Sequence, residues 1–298
     1  MTVLIIGCGY VGLSLGQLLT RRGHSVYGMR RSGAADAEMV NRGITPVQAD
    51  ITDPRHLRKL SPNYDAIINL VSSSKGGVED YRQVYLEGTR NILRWLAGTK
   101  LSPGLRYLYT SSTSVYAQAD GSWVAEESPA EPDSPTSQML IETERELLTA
   151  RAERNFPAVL LRASGIYGPG RGHLFKQFLR GEASLRDDGS SWINMIHVDD
   201  LAAAIAHLLT LPDLPAPIYN LTDDEPVTQL DFFTWLAKAL NRPLPPSAPA
   251  DPNRKRGLTN KRVSNARLKS TGFRFTYPTF REGYAAEMRH LGLVTNFP

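Results

Sequence analysis

The sequence has a single cysteine, Cys8, among 298 residues. That excludes an intrachain disulfide and makes a reducing, cytoplasmic setting the simplest expectation. Long apolar runs are missing as well. No stretch approaches the ~18 apolar residues of a membrane helix, so no membrane partner is expected. The apolar start, Met1-Thr2-Val3-Leu4-Ile5-Ile6, has no basic segment before it and runs into glycines, so it does not read as a secretory leader. Charge of one sign is not in excess: a net charge of +4 with 21% charged residues argues against nucleic acid as a partner and suits anionic phosphates. No His, Cys and Asp cluster has metal-ligand spacing, so no metal is expected. There is no internal repeat and no low-complexity tract. What remains is an ordinary composition, 41% hydrophobic, long enough for one large α/β unit or two joined lobes with a sizeable core.

The first half alternates short β-branched runs with longer amphipathic ones. Residues 2–6, 25–29, 44–48, 66–70 and 105–109 read as strands. Residues 11–22, 35–42, 56–60 and 78–97 read as helices between them, which implies parallel β-α-β units. A helix over 136–151 starts with Ser134 as cap and Pro135 in its first position, and a strand over 158–162 follows. Beyond that the pattern loosens. Residues 165–172 are turn-rich and lead to a short helix. Strands are expected over 192–196 and 218–221, and helices over 199–210 and from Thr228, as cap, to about 240. Residues 243–252 hold five prolines and read as an exposed loop. The tail reads as one short helix and a final one over 277–290.

The strongest motif is Gly7-Cys8-Gly9-Tyr10-Val11-Gly12, which follows an apolar strand and opens a helix. In that context the first glycine permits a tight turn, the second lets backbone approach a pyrophosphate, and the third lets helix pack on strand. The helix start offers free N–H groups to phosphates. The expected fold is therefore a Rossmann-type doubly wound parallel sheet with a small C-terminal substrate lobe. Residues 1–162, completed by 192–220, form the dinucleotide-binding domain; 163–191 and 221–298 form the smaller lobe. After the second strand, where an acidic residue would hold the ribose 2′-hydroxyl of NAD, stand Arg30 and Arg31. Two guanidiniums favour a 2′-phosphate, which selects NADP over NAD; the plainer reading is a solvated basic loop. Asp50, after the third strand, is placed for the adenine amino group, or acts as a turn or cap before Pro54. The expected cofactor residues are Gly7, Gly9, Tyr10, Val11, Gly12, Arg30, Arg31, Asp50, Ile51, Leu70, Val71 and Ser72.

Several motifs occur in order: Gly88-Thr89-Arg90-Asn91, Thr110-Ser111-Ser112-Thr113-Ser114-Val115-Tyr116, Ile166-Tyr167-Gly168-Pro169-Gly170 and Ile196-His197-Val198-Asp199-Asp200. With the glycine loop they resemble the extended short-chain dehydrogenase/reductase group, the NAD(P)-dependent epimerase/dehydratase superfamily, over nearly the whole chain. The resemblance implies a Ser or Thr that orients substrate, a Tyr acid/base and a Lys that lowers the Tyr pKa. Ser112 matches the serine. Thr136 stands at the Tyr position, Leu140 at the Lys position and Tyr85 where an Asn is usual, so the chain resembles an atypical subgroup that lacks the Tyr-x-x-x-Lys pair. Glu144 keeps the pattern's acidic residue.

Tyr85 and Tyr116 are candidate replacement phenols, each with a packing role as the plainer alternative. Ser73, Thr113, Tyr167, Arg171 and His197 are candidate substrate contacts; a lone His before a helix is more often a cap or a satisfied core group, and the plainer alternative for Ser112 is turn chemistry. The resemblance implies an NADP-dependent oxidoreductase, epimerase or dehydratase acting on a sugar nucleotide or another small polar carbonyl compound. It also implies a homodimer paired through helices 78–97 and 136–151. The alternative is a catalytically silent NADP-binding sensor or binding module.

Overall fold

A computed structural model describes residues 1–99, 101–214, 216–249 and 259–293. Its contacts divide the chain into two compact units: 1–115 with 130–162 and 202–219, and 116–129 with 163–201 and 220–298. This differs from the division expected from sequence in two places. Residues 116–129 join the second unit because Trp123–Val124 pairs in parallel with Arg262–Val263. Residues 192–201 join it because Met195–His197 pairs with Gly165–Tyr167.

The first unit is built on a seven-stranded sheet of β1 (Thr2–Ile6), β2 (Ser25–Arg30), β3 (Thr45–Gln48), β4 (Ala66–Asn69), β5 (Arg106–Ser112), β6 (Ala158–Ala163) and β7 (Ile218–Leu221). The strands lie side by side in the order β7, β6, β5, β4, β1, β2, β3, and the chain's direction across the sheet reverses between β1 and β4. Pairings among β1 to β5 are parallel, with Ile6 opposite both Met29 and Asn69. In β1 Val3 to Ile6 are all fully buried, and so is every residue of β4. Continuous apolar runs of this kind suit strands covered on both faces. Burying each such side chain contributes about 1.5–3 kcal/mol.

Helices α1 (Tyr10–Arg21), α2 (Asp36–Asn41), α3 (Pro54–Leu57), α4 (Val78–Tyr81), α5 (Gly88–Ala97) and α6 (Pro135–Arg154) connect the strands. The single helix expected over 78–97 is interrupted: Arg82–Glu87 forms a π-helical turn between α4 and α5. Asp53, not Asp50, caps α3, its side chain accepting from Arg55 N with Pro54 in the first turn. Ser134 caps α6 by accepting from Ser137 N.

The second unit holds α7 (His173–Arg180), α9 (Gln229–Leu240), α10 (Ala266–Ser270) and α11 (Phe280–His290); α8 (Val198–Thr210) runs from it into the first unit. Its core gathers Phe175, Phe178, Phe232, Phe233, Phe280 and Tyr284. The strand expected over 192–196 is split at Asn194. The Asn194 side chain donates to Lys261 O at 2.9 Å and accepts from Val263 N at 2.7 Å, filling the gap between two short ladders. The proline-rich loop is anchored by Ser247–Ala248 pairing with Leu185–Arg186; its last residues, 250–252, lie outside the described residues. No helix among the described residues is long and apolar enough to cross a membrane.

Candidate functional site

The glycine loop sits at the sheet's reversal point, between the ends of β1 and β4, where ligands enter sheets of this order. Gly7 has φ +82°, and a Cβ there would lie 2.8 Å from backbone atoms of Leu70 and Val71. A Cβ on Gly12 would lie 3.2 Å from Ile5 Cγ2 and from Gly7 O, so this glycine serves helix-on-strand packing. Gly9 is different. The nearest protein atom to a Cβ there is Gly7 O at 3.9 Å, so nothing in the protein demands glycine. A ligand approaching the backbone would demand it. Helix α1 begins with neither a side-chain cap nor an acidic residue in its first turn, which leaves the positive end of its dipole uncompensated.

A cleft of about 240 Å³ opens here, lined by Gly7, Gly9, Arg30, Arg31, Asp50, Ile51, Leu70, Val71 and Ser72. The structure thus brings nine of the expected cofactor residues together. Tyr10, Val11 and Gly12 form the first turn of α1 and do not line the cleft. Ile6, Met29, Ala49, Thr52, Ser74 and Val84 complete the wall; nothing in the sequence marks Val84, which lies in the π-helical turn. The half-buried Arg30 makes no side-chain hydrogen bond or ion pair among the described residues. Arg31 donates to Ser74 Oγ at 3.1 Å. Asp50 accepts from Thr52 N at 2.9 Å and Thr52 Oγ1 at 2.8 Å, which forms a turn. Cys8 is buried in the loop, and desolvation pushes its thiol up to about 11.

The loop after β4 is tied to itself. Ser73 Oγ donates to Asp80 at 2.5 Å and accepts from Gly76 N at 2.9 Å. The Ser73 hydrogen bond holds the Asp80 carboxyl below its ordinary value. Tyr85 takes part in the same knot: its hydroxyl accepts from Ser73 N at 3.3 Å, and its ring tilts against Tyr81 at 4.9 Å. At the end of β5, Ser112 Oγ accepts from Ser114 N at 3.1 Å, while Thr113 is buried. Ser114 is in turn bound by Ser137 Oγ at 3.1 Å, which joins this strand end to the start of α6. In α6 Leu140 is buried, and Thr136 Oγ1 lies 3.2 Å from Ser134 Oγ. One turn on, Glu144 forms a buried, two-pronged ion pair with Arg162, its shortest contact 2.6 Å.

In the second unit the expected side chains are mostly enclosed. Tyr116 is fully buried and donates to Asn220 Oδ1 at 2.8 Å. Tyr167 stacks on Tyr284 at 4.5 Å, and desolvation holds its phenol well above the ordinary value. Neither strand-end tyrosine opens to solvent as a free phenol; both carry core packing. His197 is 3% exposed and accepts from Asp199 N at 3.2 Å, the cap-like role weighed above, and burial lowers its pKa. Arg171 is exposed, its backbone closing a turn with Gly168.

Sheet order, reversal-point cleft and glycine geometry together define a dinucleotide-binding α/β protein. Residues 3–222 match the model of the NAD dependent epimerase/dehydratase family. The chain belongs to that family. It is 33% identical to a Methylobacillus flagellatus protein described as an NAD-dependent epimerase/dehydratase, whose solved structure superimposes with a TM-score of 0.78 over 98% of both chains. Protein YeeZ of Escherichia coli K12 is 27% identical over 93% of this chain and 96% of its own length. A 2-alkyl-3-oxoalkanoate reductase of Stenotrophomonas maltophilia is 26% identical over 82% of this chain and 77% of its own length.

Proposed function

We propose that the chain is an NADP-dependent reductase or epimerase that acts on a small polar carbonyl compound or a sugar nucleotide, with an active site that lacks the usual Tyr and Lys. The observation that carries the cofactor reading is the cleft beside Gly9, lined by Arg30, which has no carboxylate bound to it among the described residues. Gly9 and the first turn of α1 would hold the pyrophosphate, Asp50 the adenine, and Arg30 with Arg31 a 2′-phosphate. The nicotinamide, when bound, exchanges a hydride with substrate. Ser112, the residue that matches the family's serine, is the candidate to orient a carbonyl oxygen, and Thr113 and Ser73 are candidate substrate contacts. Tyr85, Tyr167 and His197 are also candidates, although each already has a packing or turn role, and so is the exposed Arg171. The reductase name of the Stenotrophomonas maltophilia relative supports carbonyl reduction as the reaction class. The buried Cys8 supports a cytoplasmic setting, and pairing of two copies through α5 and α6 is part of the same reading.

The second reading is a silent NADP-binding sensor, favoured by Leu140, a buried residue that carries no charge at the position of the Lys. One experiment separates the two. NADPH and NADH binding are measured, then carbonyl compounds are screened for loss of nicotinamide absorbance. Tighter NADPH binding with turnover supports the enzyme; tight binding without turnover on any class supports the sensor; preference for NADH overturns the Arg30 and Arg31 argument.

A further inference from the structure

Two cations with long side chains are buried among the described residues, Arg162 and Lys261. They are treated differently. Arg162 is neutralised by Glu144. Lys261, 6% exposed, has no side-chain hydrogen bond and no ion pair among the described residues. Desolvation pushes its pKa down to about 8, with no carboxylate among the described residues opposing the shift. An unpaired buried ammonium is costly, and proteins that keep one commonly use it.

The backbone around Lys261 is held firmly. Its carbonyl accepts from Asn194 Nδ2 at 2.9 Å, Arg262 N donates to Ser122 O at 2.9 Å, and Val263 N donates to Asn194 Oδ1 at 2.7 Å. Arg262 leaves the strand on one side, its guanidinium carbon 5.2 Å from the ring centre of Trp123 and 5.0 Å from that of Trp192. Lys261 immediately precedes this two-residue strand. The fold thus fixes the root of this side chain and supplies its charged end with no partner among the described residues.

We propose that Lys261 anchors a binding site in the second unit for an anionic oxygen group, a phosphate or a carboxylate, carried by the substrate. The proposal rests on the enzyme reading above only in calling that ligand a substrate. A bound anion completes the missing ion pair and returns the amine to its fully charged form, which gives the ligand a strong contact without a competing internal partner.

The test uses three probes on the full chain: UDP, inorganic phosphate and malonate. Binding is measured by calorimetry on the wild type, K261M and K261R, and acetylation of Lys261 by acetic anhydride is followed by peptide mass spectrometry. At least one probe should protect Lys261 from acetylation, bind K261M about tenfold more weakly, and bind K261R nearly as well as the wild type. Protection by UDP or phosphate assigns the site to a phosphate group; protection by malonate alone assigns it to a carboxylate. If no probe protects Lys261, or K261M binds the protecting probe as the wild type does, the proposal is wrong. NADPH binding to the wild type is read separately, so a failure of the cofactor reading is visible as such and leaves the Lys261 result standing on its own.

Discussion

Alanine at Gly9 and alanine at Gly7 should have opposite consequences, although the two glycines are neighbours in one loop. At Gly7 the new methyl would sit 2.8 Å from backbone atoms of Leu70 and Val71, and φ is +82°. The left-handed backbone costs about 1–2 kcal/mol and the overlap about 1–3 kcal/mol more. Together these correspond to a melting midpoint lower by roughly 5–15 °C in a domain of this size. At Gly9 the methyl would meet no protein atom closer than 3.9 Å, and φ is −96°. The weaker N-cap costs about 0.5 kcal/mol, which scarcely moves the midpoint. Yet the methyl enters the space proposed for the pyrophosphate, so G9A should bind NADPH at least about tenfold more weakly, or 1.4 kcal/mol. Thermal unfolding and equilibrium NADPH titration, run on both variants, give the two numbers each. A folded G9A that binds NADPH as tightly as the wild type would refute the reasoning, because the open space beside Gly9 would then not be where the cofactor lies.

Replacing Arg30 and Arg31 together by Ala should weaken NADPH binding ten- to a hundredfold, the loss of about 1.5–3 kcal/mol of charge-assisted hydrogen bonding, and leave NADH binding nearly unchanged. Cys8, buried and with its pKa pushed up to about 11, should resist a disulfide reagent at pH 8 in the native protein and react fully only after denaturation. Arg162→Met alone should cost about 3–5 kcal/mol in urea unfolding by stranding the Glu144 carboxylate, and adding Glu144→Leu should recover much of that loss. Lys261 has the opposite sign. Because its pKa falls from 10.5 to about 8 on folding, the unfolded chain binds the extra proton between those values, so this residue's penalty is full below pH 8 and vanishes by about pH 10.5. K261M should therefore be more stable than the wild type at pH 7, by on the order of 3 kcal/mol, and lose that advantage as pH rises through this window; a constant difference would contradict the origin assigned to the shift.

The parts of this fold that are legible in sequence are those where a local rule and the tertiary structure ask for the same residue. The glycine spacing after an apolar strand is one; Ser134-Pro135 and Thr228 at helix starts are others. What was not legible depends on partners distant in the chain. Trp123–Val124 is too short to show any alternation, and only its pairing with Arg262–Val263 carries residues 116–129 into the second unit. Asn194 looks like one more residue of a strand until its amide is found bound to residues 261 and 263. Tyr116 and Tyr167 sit at strand ends, where a phenol facing a cleft and one locked in the core have the same sequence signature, and burial alone separates them. Lys261 belongs to a basic stretch, and nothing in the order of residues marks which cation is enclosed.

The π-helical turn Arg82–Glu87 bears on how this chain is compared with others. Such a turn accommodates one more residue than an α-helix would, and each residue in a helix advances the facing direction by about 100°. Counting back from Gly88 to Tyr85 therefore crosses a slip in phase. A position matched by sequence offset here is rotated relative to its counterpart in an uninterrupted helix, and a tyrosine found where an asparagine was looked for is as much a statement about helical register as about substitution. Deleting one residue within 82–87 would restore the even winding and turn α4, with Asp80 and its grip on the Ser73 loop, away from its present heading.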